Sequence, residues 1–342
     1  MGRLIRIPGD VELPLIGCVA FGLIDRGTNL IQVRPISGCN LNCIYCSVDE
    51  GPESRSRISS FLVDLDYLIE WFKGLAAFKG SKGIEAHIDG AGEPMLYPWI
   101  RELIGALSDV DGVETVSMQS NGTLIRRGWI DELAELGLSR INLSVNALDE
   151  DLAKKLSGTP NYDLGKVMNV AEEIAESPVE LLLAPVWIPG VNDDEIPKLI
   201  EFALKLRSKR KNKGKGRWPL MGIQKYEVHP YGRRVPKVRS PSWGLFYGRL
   251  RVWEAKYGLK LRLEPSDFEI VKMQSLPLRF SLGEKIQARL LSLGWMKGQA
   301  LGAERGRTIT VVGVPEGFIE GATVRARIIH NKHNIYVAKG LL

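Results

Sequence analysis

Between residues 30 and 257, short β-branched apolar runs alternate with amphipathic segments. This alternation constrains the possible fold more than any other feature of the chain. The stretches "LIQVRPI" (30–36), "GIEAHIDG" (83–90), "VETVSMQS" (113–120), "RINLSVNA" (140–147), "VELLLAPVWIP" (179–189) and "LMGIQKYEVHP" (220–230) read as strands. Each precedes a segment of helical period: "FLVDLDYLIEWFKGLAAF" (61–78), "PWIRELIGALSD" (98–109), and stretches near 126–137, 164–176, 194–209 and 241–257. Strand-then-helix units in series predict parallel strands joined by right-handed crossovers. Six units are too few to close an eightfold barrel. The spacing therefore predicts an α/β fold, an open partial (β/α)6 barrel with ligands at the carboxyl ends of its strands.

This pattern has flanks on both sides. Residues 1–24 are short apolar pieces broken by Pro and Gly, which predict an N-terminal hairpin extension ahead of an α/β domain over 25–281. From 282 to 342 the chain has Gly-punctuated short strands and no long helical pattern, which predicts a small all-β barrel.

Composition excludes several classes. Hydrophobic residues make up 44% and charged residues 25%, a globular balance and not a disordered one. No apolar run reaches the ~20 residues that span a bilayer, and the start lacks a secretory leader pattern. Four cysteines, three of them clustered, do not form a secreted disulfide framework, so a cytoplasmic, membrane-free protein is expected. The net charge is +6, and its distribution is uneven: "KLRSKRKNKGKGR" (205–217) carries eight Lys or Arg and "YGRRVPKVR" (231–239) four more. Such runs are either solvated loops or a rim that faces phosphates, and the two readings are compatible. Lys209, Arg210, Lys211, Arg233 and Arg234 are the candidates there.

The chemistry concentrates in "ISGCNLNCIYCSVDEG" (36–51), where Cys39, Cys43 and Cys46 follow the first of the alternating strands. Zinc would need a fourth ligand at similar local spacing, and none stands nearby. Three buried free thiols are the bland alternative. Three thiolates with an open fourth position suit a [4Fe–4S] cube that leaves one iron for an outside ligand.

The C-x3-C-x-aromatic-C loop, with Tyr45 at the aromatic place, resembles the signature of the radical S-adenosylmethionine (SAM) superfamily. Other segments resemble that family at successive strand ends, over roughly 25–265. "DGAGEPML" (89–96) is similar to its Gly-Gly-Glu-Pro element, with Ala91 in place of the first glycine; Gly92, Glu93 and Pro94 are the matching residues. "QSNGT" and "LSVNA" resemble the polar strand ends that approach the SAM carboxylate and ribose, which implicates Ser120, Asn121, Ser144 and Asn146. "PVWIPGVND" and "VHPYG" resemble later segments near the adenine and outer site, which implicates Pro189 and His229. The resemblance implies a [4Fe–4S] cluster on Cys39, Cys43 and Cys46, SAM as cofactor, a 5′-deoxyadenosyl radical, and an electron donor such as ferredoxin or flavodoxin. It singles out no catalytic residue.

Residues 284–342 resemble a TRAM domain, a small OB-like barrel found on RNA-modifying enzymes. Arg305, Arg307, Arg325, Arg327, Lys332, His333 and Tyr336 are then candidate RNA-facing groups, since such faces combine cations with stacking rings. The combination implies a radical SAM enzyme acting on tRNA. Cys18 alone cannot build a second cluster, nor a methyl-carrying and resolving cysteine pair, so sulfur insertion is disfavoured and SAM is left as the group donor. Methylation of an unreactive base carbon is the leading expectation, with a wyosine-type guanine near the anticodon as the model. Carbon insertion, rearrangement, or a protein or peptide substrate are the alternatives.

Overall fold

The computed structural model describes residues 2–209, 216–314 and 320–341. They form two compact units. One contains the chain through Cys39, Ser54–Val116 and everything from Lys272 onward; the other contains Asn40–Glu53 and Ser117–Val271.

In the first unit the elements are β1 (Arg3–Ile7), β2 (Gly22–Asp25), β3 (Leu30–Arg34), β4 (Ser37–Gly38), β5 (Ser59–Val63), α1 (Leu65–Phe78), β6 (Ile84–Ile88), β7 (Ala91–Gly92) and α2 (Ile100–Ser108). Strand β3 pairs in parallel with β6 and antiparallel with β2, and the two-residue strands β4 and β7 pair in parallel. The expected N-terminal hairpin does not form. Strand β1 instead pairs in parallel with β5, Arg3 opposite Ser59 through Ile7 opposite Val63. A parallel partner needs a long connection, so it lies beyond the reach of local patterning. Residues 61–63, expected to open a helix, complete β5. The helix starts after Asp64, whose carboxylate accepts from Tyr67 N as an N-cap.

Strand β8 (Val113–Ser120) carries the chain towards the second unit, which holds α3 (Trp129–Glu135), β9 (Leu138–Leu143), α4 (Glu150–Ser157), α5 (Leu164–Glu176), β10 (Glu180–Leu183), β11 (Val186–Trp187), α6 (Glu195–Lys209), β12 (Gln224–Lys225) and α7 (Trp243–Tyr257). Strands β9 and β10 are parallel, as are β11 and β12. The expected strand over 220–230 is regular only at Gln224–Lys225, with one bridge from Met221 to Leu183. Helix α4 was not expected. Its apolar face is only Ala153 and Leu156, too short for a periodic signal, and its ends are fixed by the Asp149 cap and by left-handed Gly158.

The C-terminal strands β13 (Lys285–Leu293), β14 (Gln299–Glu304), β15 (Arg307–Val312), β16 (Thr323–His330) and β17 (Val337–Gly340) close into a five-stranded barrel in the order β13-β14-β15-β17-β16. Strict alternation fills it: Ile286, Ala288 and Leu290 point in from β13, Ile309 and Val311 from β15, and Ala326 and Ile328 from β16. Two expected RNA-facing residues are turned inward. Tyr336 is fully buried in this core, its hydroxyl donating to Asn334 Oδ1 at 2.6 Å and accepting from Arg279 N at 2.9 Å. Arg307 is 7% exposed and donates to the carbonyl of Gly306.

The barrel rests on the N-terminal segment of its own unit. Thr308 Oγ1 donates to the Pro14 carbonyl at 2.6 Å, and Tyr336 N donates to the Gly17 carbonyl at 2.9 Å. Gly17 has φ +133, and a Cβ there would stand 2.0 Å from the Thr308 oxygen, so only glycine permits this approach. The guanidinium of Arg57 lies 3.4 Å above the Trp295 ring.

Candidate cofactor site

In the first unit, the β4–β7 pair sets Gly38 opposite Gly92. Gly92 has φ +150, and a Cβ there would lie 1.7 Å from the Gly38 oxygen. Glu93 N donates to that same oxygen at 2.8 Å. Cys39 and Glu93 each follow one member of this glycine pair, so they leave the carboxyl ends of two adjacent parallel strands. Glu93 is 2% exposed and caps the short turn that Pro94 begins, accepting from Met95 N at 3.1 Å.

In the second unit, the loop from Asn40 to Glu53 is held by its neighbours. Asn42 N and Ile44 N donate to the Ser157 and Leu156 carbonyls at 2.9 and 3.0 Å. Carbonyls at a helix C-terminus lack partners within the helix, so α4 offers the loop ready acceptors. Gly158 makes the approach possible: a Cβ there would sit 2.1 Å from the Asn42 oxygen. Asn40 donates to Thr123 Oγ1 at 2.8 Å and accepts from Asn121 Nδ2 at 2.9 Å. Tyr45 accepts from Asn146 Nδ2 at 2.6 Å, and Asn146 Oδ1 accepts from Val186 N at 2.7 Å. Asn146 therefore ties the cysteine loop to the start of β11.

Arg233 closes the other side. Its backbone N donates to the Cys46 carbonyl at 2.8 Å, Nη1 donates to the Cys43 carbonyl at 3.2 Å, and Nε pairs with Asp49 Oδ1 at 2.9 Å. Its Nη2 is buried without a hydrogen-bond partner. Gly232 lets the two segments touch, since a Cβ would fall 2.7 Å from the Ser47 oxygen and 2.8 Å from that of Cys46. This corrects the sequence expectation for Arg233: its side chain is 17% exposed and grips the cysteine loop, not a phosphate.

Without a metal, burial works against the Cys43 thiolate. Burial pushes the Cys43 thiol up to about 11, and the neighbouring Cys46 adds to this, against a Tyr45 hydrogen bond and the Arg233 charge. Burial pushes the Tyr45 phenol well up too, with Cys43 adding to it. A metal reverses that balance by binding the thiolate. Soft sulfur donors, a guanidinium beside them and glycine-lined backbone fit an iron–sulfur cluster. Beside the loop, Leu41, Cys43, Tyr45, Asn121, Ser144 and Asn146 help line a cavity of about 30 Å³.

The remaining sequence candidates fall into place around these parts. Ser120 is buried and accepts from Gly122 N at 3.0 Å, while Ser144 Oγ accepts from Gln119 Nε2 at 2.8 Å. Pro189 is half-buried; His229 is exposed, its carbonyl accepting from Gly232 N. Arg234 is exposed, Lys209 reaches Glu172 at 3.2 Å, and Arg210 and Lys211 lie outside the described residues. Arg325, Arg327 and Lys332 are exposed and His333 is half-buried. Arg305 is exposed and paired with Glu284 at 2.8 Å. Sequence reasoning missed Asn40, Asp49, Gly158 and Gly232. Only the Gly-Arg step in "YGRR" carried a signal, a glycine placed for close approach beside a cation.

The model of the radical SAM superfamily matches residues 33–203, half of the chain and all of the cysteine loop. This chain belongs to the radical SAM superfamily. As a radical SAM enzyme it uses a [4Fe–4S] cluster and SAM, and it needs an electron donor. Among the described residues no helix is long and apolar enough to cross a membrane. It is 44% identical over 341 residues to the uncharacterized protein MJ0103 of Methanocaldococcus jannaschii, a match covering 96% of this chain and 78% of that one. It is 28% identical over 178 residues to GTP 3′,8-cyclase of Chlorobaculum tepidum, covering 52% of this chain and 50% of the cyclase. The match thus spans about half the length of that cyclase. Among solved structures, SuiB of Streptococcus suis bound to its precursor peptide SuiA superposes with a TM-score of 0.49 at 16% identity, covering 70% of this chain and 48% of SuiB. TYW1 with a lysine–pyruvate adduct superposes with a TM-score of 0.45 at 18% identity, covering 72% and 80%.

Proposed function

We propose that this radical SAM enzyme modifies tRNA, methylating an unreactive carbon of a base, with a wyosine-type guanine beside the anticodon as the model substrate. The observation that carries the reading is a closed five-stranded barrel with Arg325, Arg327 and Lys332 exposed, in a radical SAM chain of net charge +6. We read this barrel as an OB-like TRAM module.

In this reading Cys39, Cys43 and Cys46 hold the cluster, and Glu93 accepts from the SAM ammonium beside the open backbone of Gly92 and Pro94. Ser120, Asn121, Ser144 and Asn146 face its carboxylate and ribose; Pro189 and His229 face the adenine side. When bound, the cluster and SAM supply one-electron reductive cleavage and, through it, hydrogen-atom abstraction at unactivated carbon. The chain's own part is positioning. Arg233 fixes the loop carbonyls, Asn146 holds Tyr45, and Gly92, Gly158 and Gly232 let neighbouring backbone segments touch. Radical chemistry is warranted where the target carbon is not nucleophilic. Cys18, the fourth cysteine, is 2% exposed, which leaves SAM as the donor of the group. A ring rearrangement or carbon insertion is the second reading, favoured by the likeness to proteins named GTP 3′,8-cyclase.

The test is anaerobic reconstitution with tRNA and methyl-deuterated SAM, followed by nucleoside mass spectrometry, with Cys43→Ala as the inactive control. Deuterium in a tRNA nucleoside is expected. A new nucleoside without label would replace methylation by rearrangement. An unchanged tRNA alongside a modified peptide would move the substrate to protein.

A further inference from the structure

We infer that the outer face of strands β13, β16 and β17 binds the phosphate backbone of a double-helical RNA stem. This rests on the RNA reading above and deepens it, because it assigns a face, a chemical group and a form of RNA. The register carries the argument. Lys285 on β13 stands opposite Arg327 on β16, and Arg327 stands opposite Lys339 on β17. Three cations therefore form one row across three hydrogen-bonded strands, each about 4.8 Å from the next. Arg325 lies two residues from Arg327 on β16, about 6.8 Å along the same face, and Arg289 lies four residues from Lys285 on β13. All five side chains are on the exposed side of the alternation, whose other side fills the barrel core.

Like charges directly opposite each other on a sheet repel. Among the described residues none of these five has a carboxylate within ion-pair distance to relieve the repulsion. Arg305, by contrast, is neutralised by Glu284. A polyanion laid along the row would turn mutual repulsion into attraction and release its own counterions. Ring chemistry separates the kinds of RNA. Single strands are held largely by stacking bases on aromatic side chains, whereas helical RNA is read through its shape and its phosphates. Phe280, Trp295 and Tyr336 are buried at 1%, 5% and 0% exposure, so among the described residues this barrel offers no Phe, Tyr or Trp ring for stacking. A cationic row with no Phe, Tyr or Trp ring exposed beside it among the described residues suits a stem.

The test uses the full-length, cluster-loaded protein. Binding of a fluorescent RNA hairpin stem and of an oligouridine of equal charge is titrated over a range of salt. The comparison is between the natural protein, a Lys285→Gln/Arg327→Gln/Lys339→Gln variant and a charge-keeping Lys285→Arg/Arg327→Lys/Lys339→Arg variant. Stem binding by the Gln variant should weaken about tenfold or more at low salt, and the salt slope should fall by about three, one per lost phosphate contact. The charge-keeping variant should bind like the natural protein. If the triple Gln variant melts early, the three single variants are titrated instead, and each should lower the slope by about one. Equal stem binding by natural and Gln proteins overturns the proposal while leaving the RNA reading intact. Oligouridine binding as tight as stem binding, or displacement of the stem by polyglutamate at matched charge, also overturns it. Failure of the natural protein to bind either RNA overturns the RNA reading along with this one. Stem binding through the row by a protein that leaves tRNA unlabelled removes the methylation reading and keeps the face.

Discussion

The guanidinium of Arg233 donates to the carbonyl oxygen of Cys43, 190 residues earlier in the chain, at 3.2 Å. The same group is paired with Asp49, itself 6% exposed. Removing the Arg233 side chain would take the ion-pair partner from a buried carboxylate and the side-chain donor from the Cys43 carbonyl. Breaking a buried pair from one side costs about 3–5 kcal/mol. Arg233→Met should lower the melting temperature and reduce iron and sulfide per chain after anaerobic reconstitution. Arg233→Lys, which keeps the charge but not the planar fork, should fall between. A variant with the natural iron content and melting point would show that the loop is held without this clamp.

Gly92→Ala should fail for a backbone reason. At φ +150 a Cβ would stand 1.7 Å from the Gly38 oxygen, so the β4–β7 pair would have to open. Glu93 N would lose its 2.8 Å bond to that oxygen in the same movement. Loss of SAM binding by equilibrium dialysis is expected, together with lower stability. Gly128→Ala is the control: its φ is +81 with nothing within 4 Å of the added carbon, so it carries only the left-handed penalty of about 1–2 kcal/mol. Equal effects from the two substitutions would refute the role given to the Gly38–Gly92 contact.

Glu195 provides a pH dependence. Burial pushes its carboxyl up, but hydrogen bonds from Lys198 and from the backbone N–H groups of Leu148 and Asp149 outweigh this and hold it below its ordinary value. A carboxyl held lower in the folded state contributes stability above its unfolded pKa and loses it as pH falls through the folded one. The stability gap between the natural protein and Glu195→Gln should therefore be full near neutrality and shrink between about pH 5 and pH 3. Urea midpoints across that range measure it, and a gap that stays constant would show that Glu195 titrates alike in both states.

Lys79 and Asp25 form a pair with side chains 0% and 1% exposed, at 2.7 Å. Lys79 also donates to the Gln274 carbonyl, and Asp25 accepts from Gly27 N and Leu276 N. The pair thus fastens the irregular segment around Gln274 and Leu276 that leads into the C-terminal barrel. Lys79→Met should cost about 3–5 kcal/mol, since it strands a buried carboxylate. Lys79→Met combined with Asp25→Asn should cost less than the sum of the two single changes. Strict additivity in denaturation would mean the two residues act independently.

The sequence by itself determined the chemistry-bearing loop and the periodicities. Cysteine spacing is a covalent fact, and the alternation of Ile286, Ala288 and Leu290 with Lys285, Gln287 and Arg289 already states which side of β13 is apolar. Parity also placed Tyr336 on the same face as Ala338, a signal that outweighs the ring's suitability for stacking. Only tertiary structure decided where the cations point. Arg233, Arg307 and Arg327 are alike as residues, yet one grips the cysteine loop, one is buried at the barrel and one stands in an exposed row. A charge can be satisfied by a carboxylate, a carbonyl or solvent, and which of these it meets depends on partners far along the chain. The same holds for β1, whose partner β5 lies 56 residues on, from Arg3 to Ser59. Local patterning encodes which face is apolar, whereas long-range register decides what that face, or its opposite, meets.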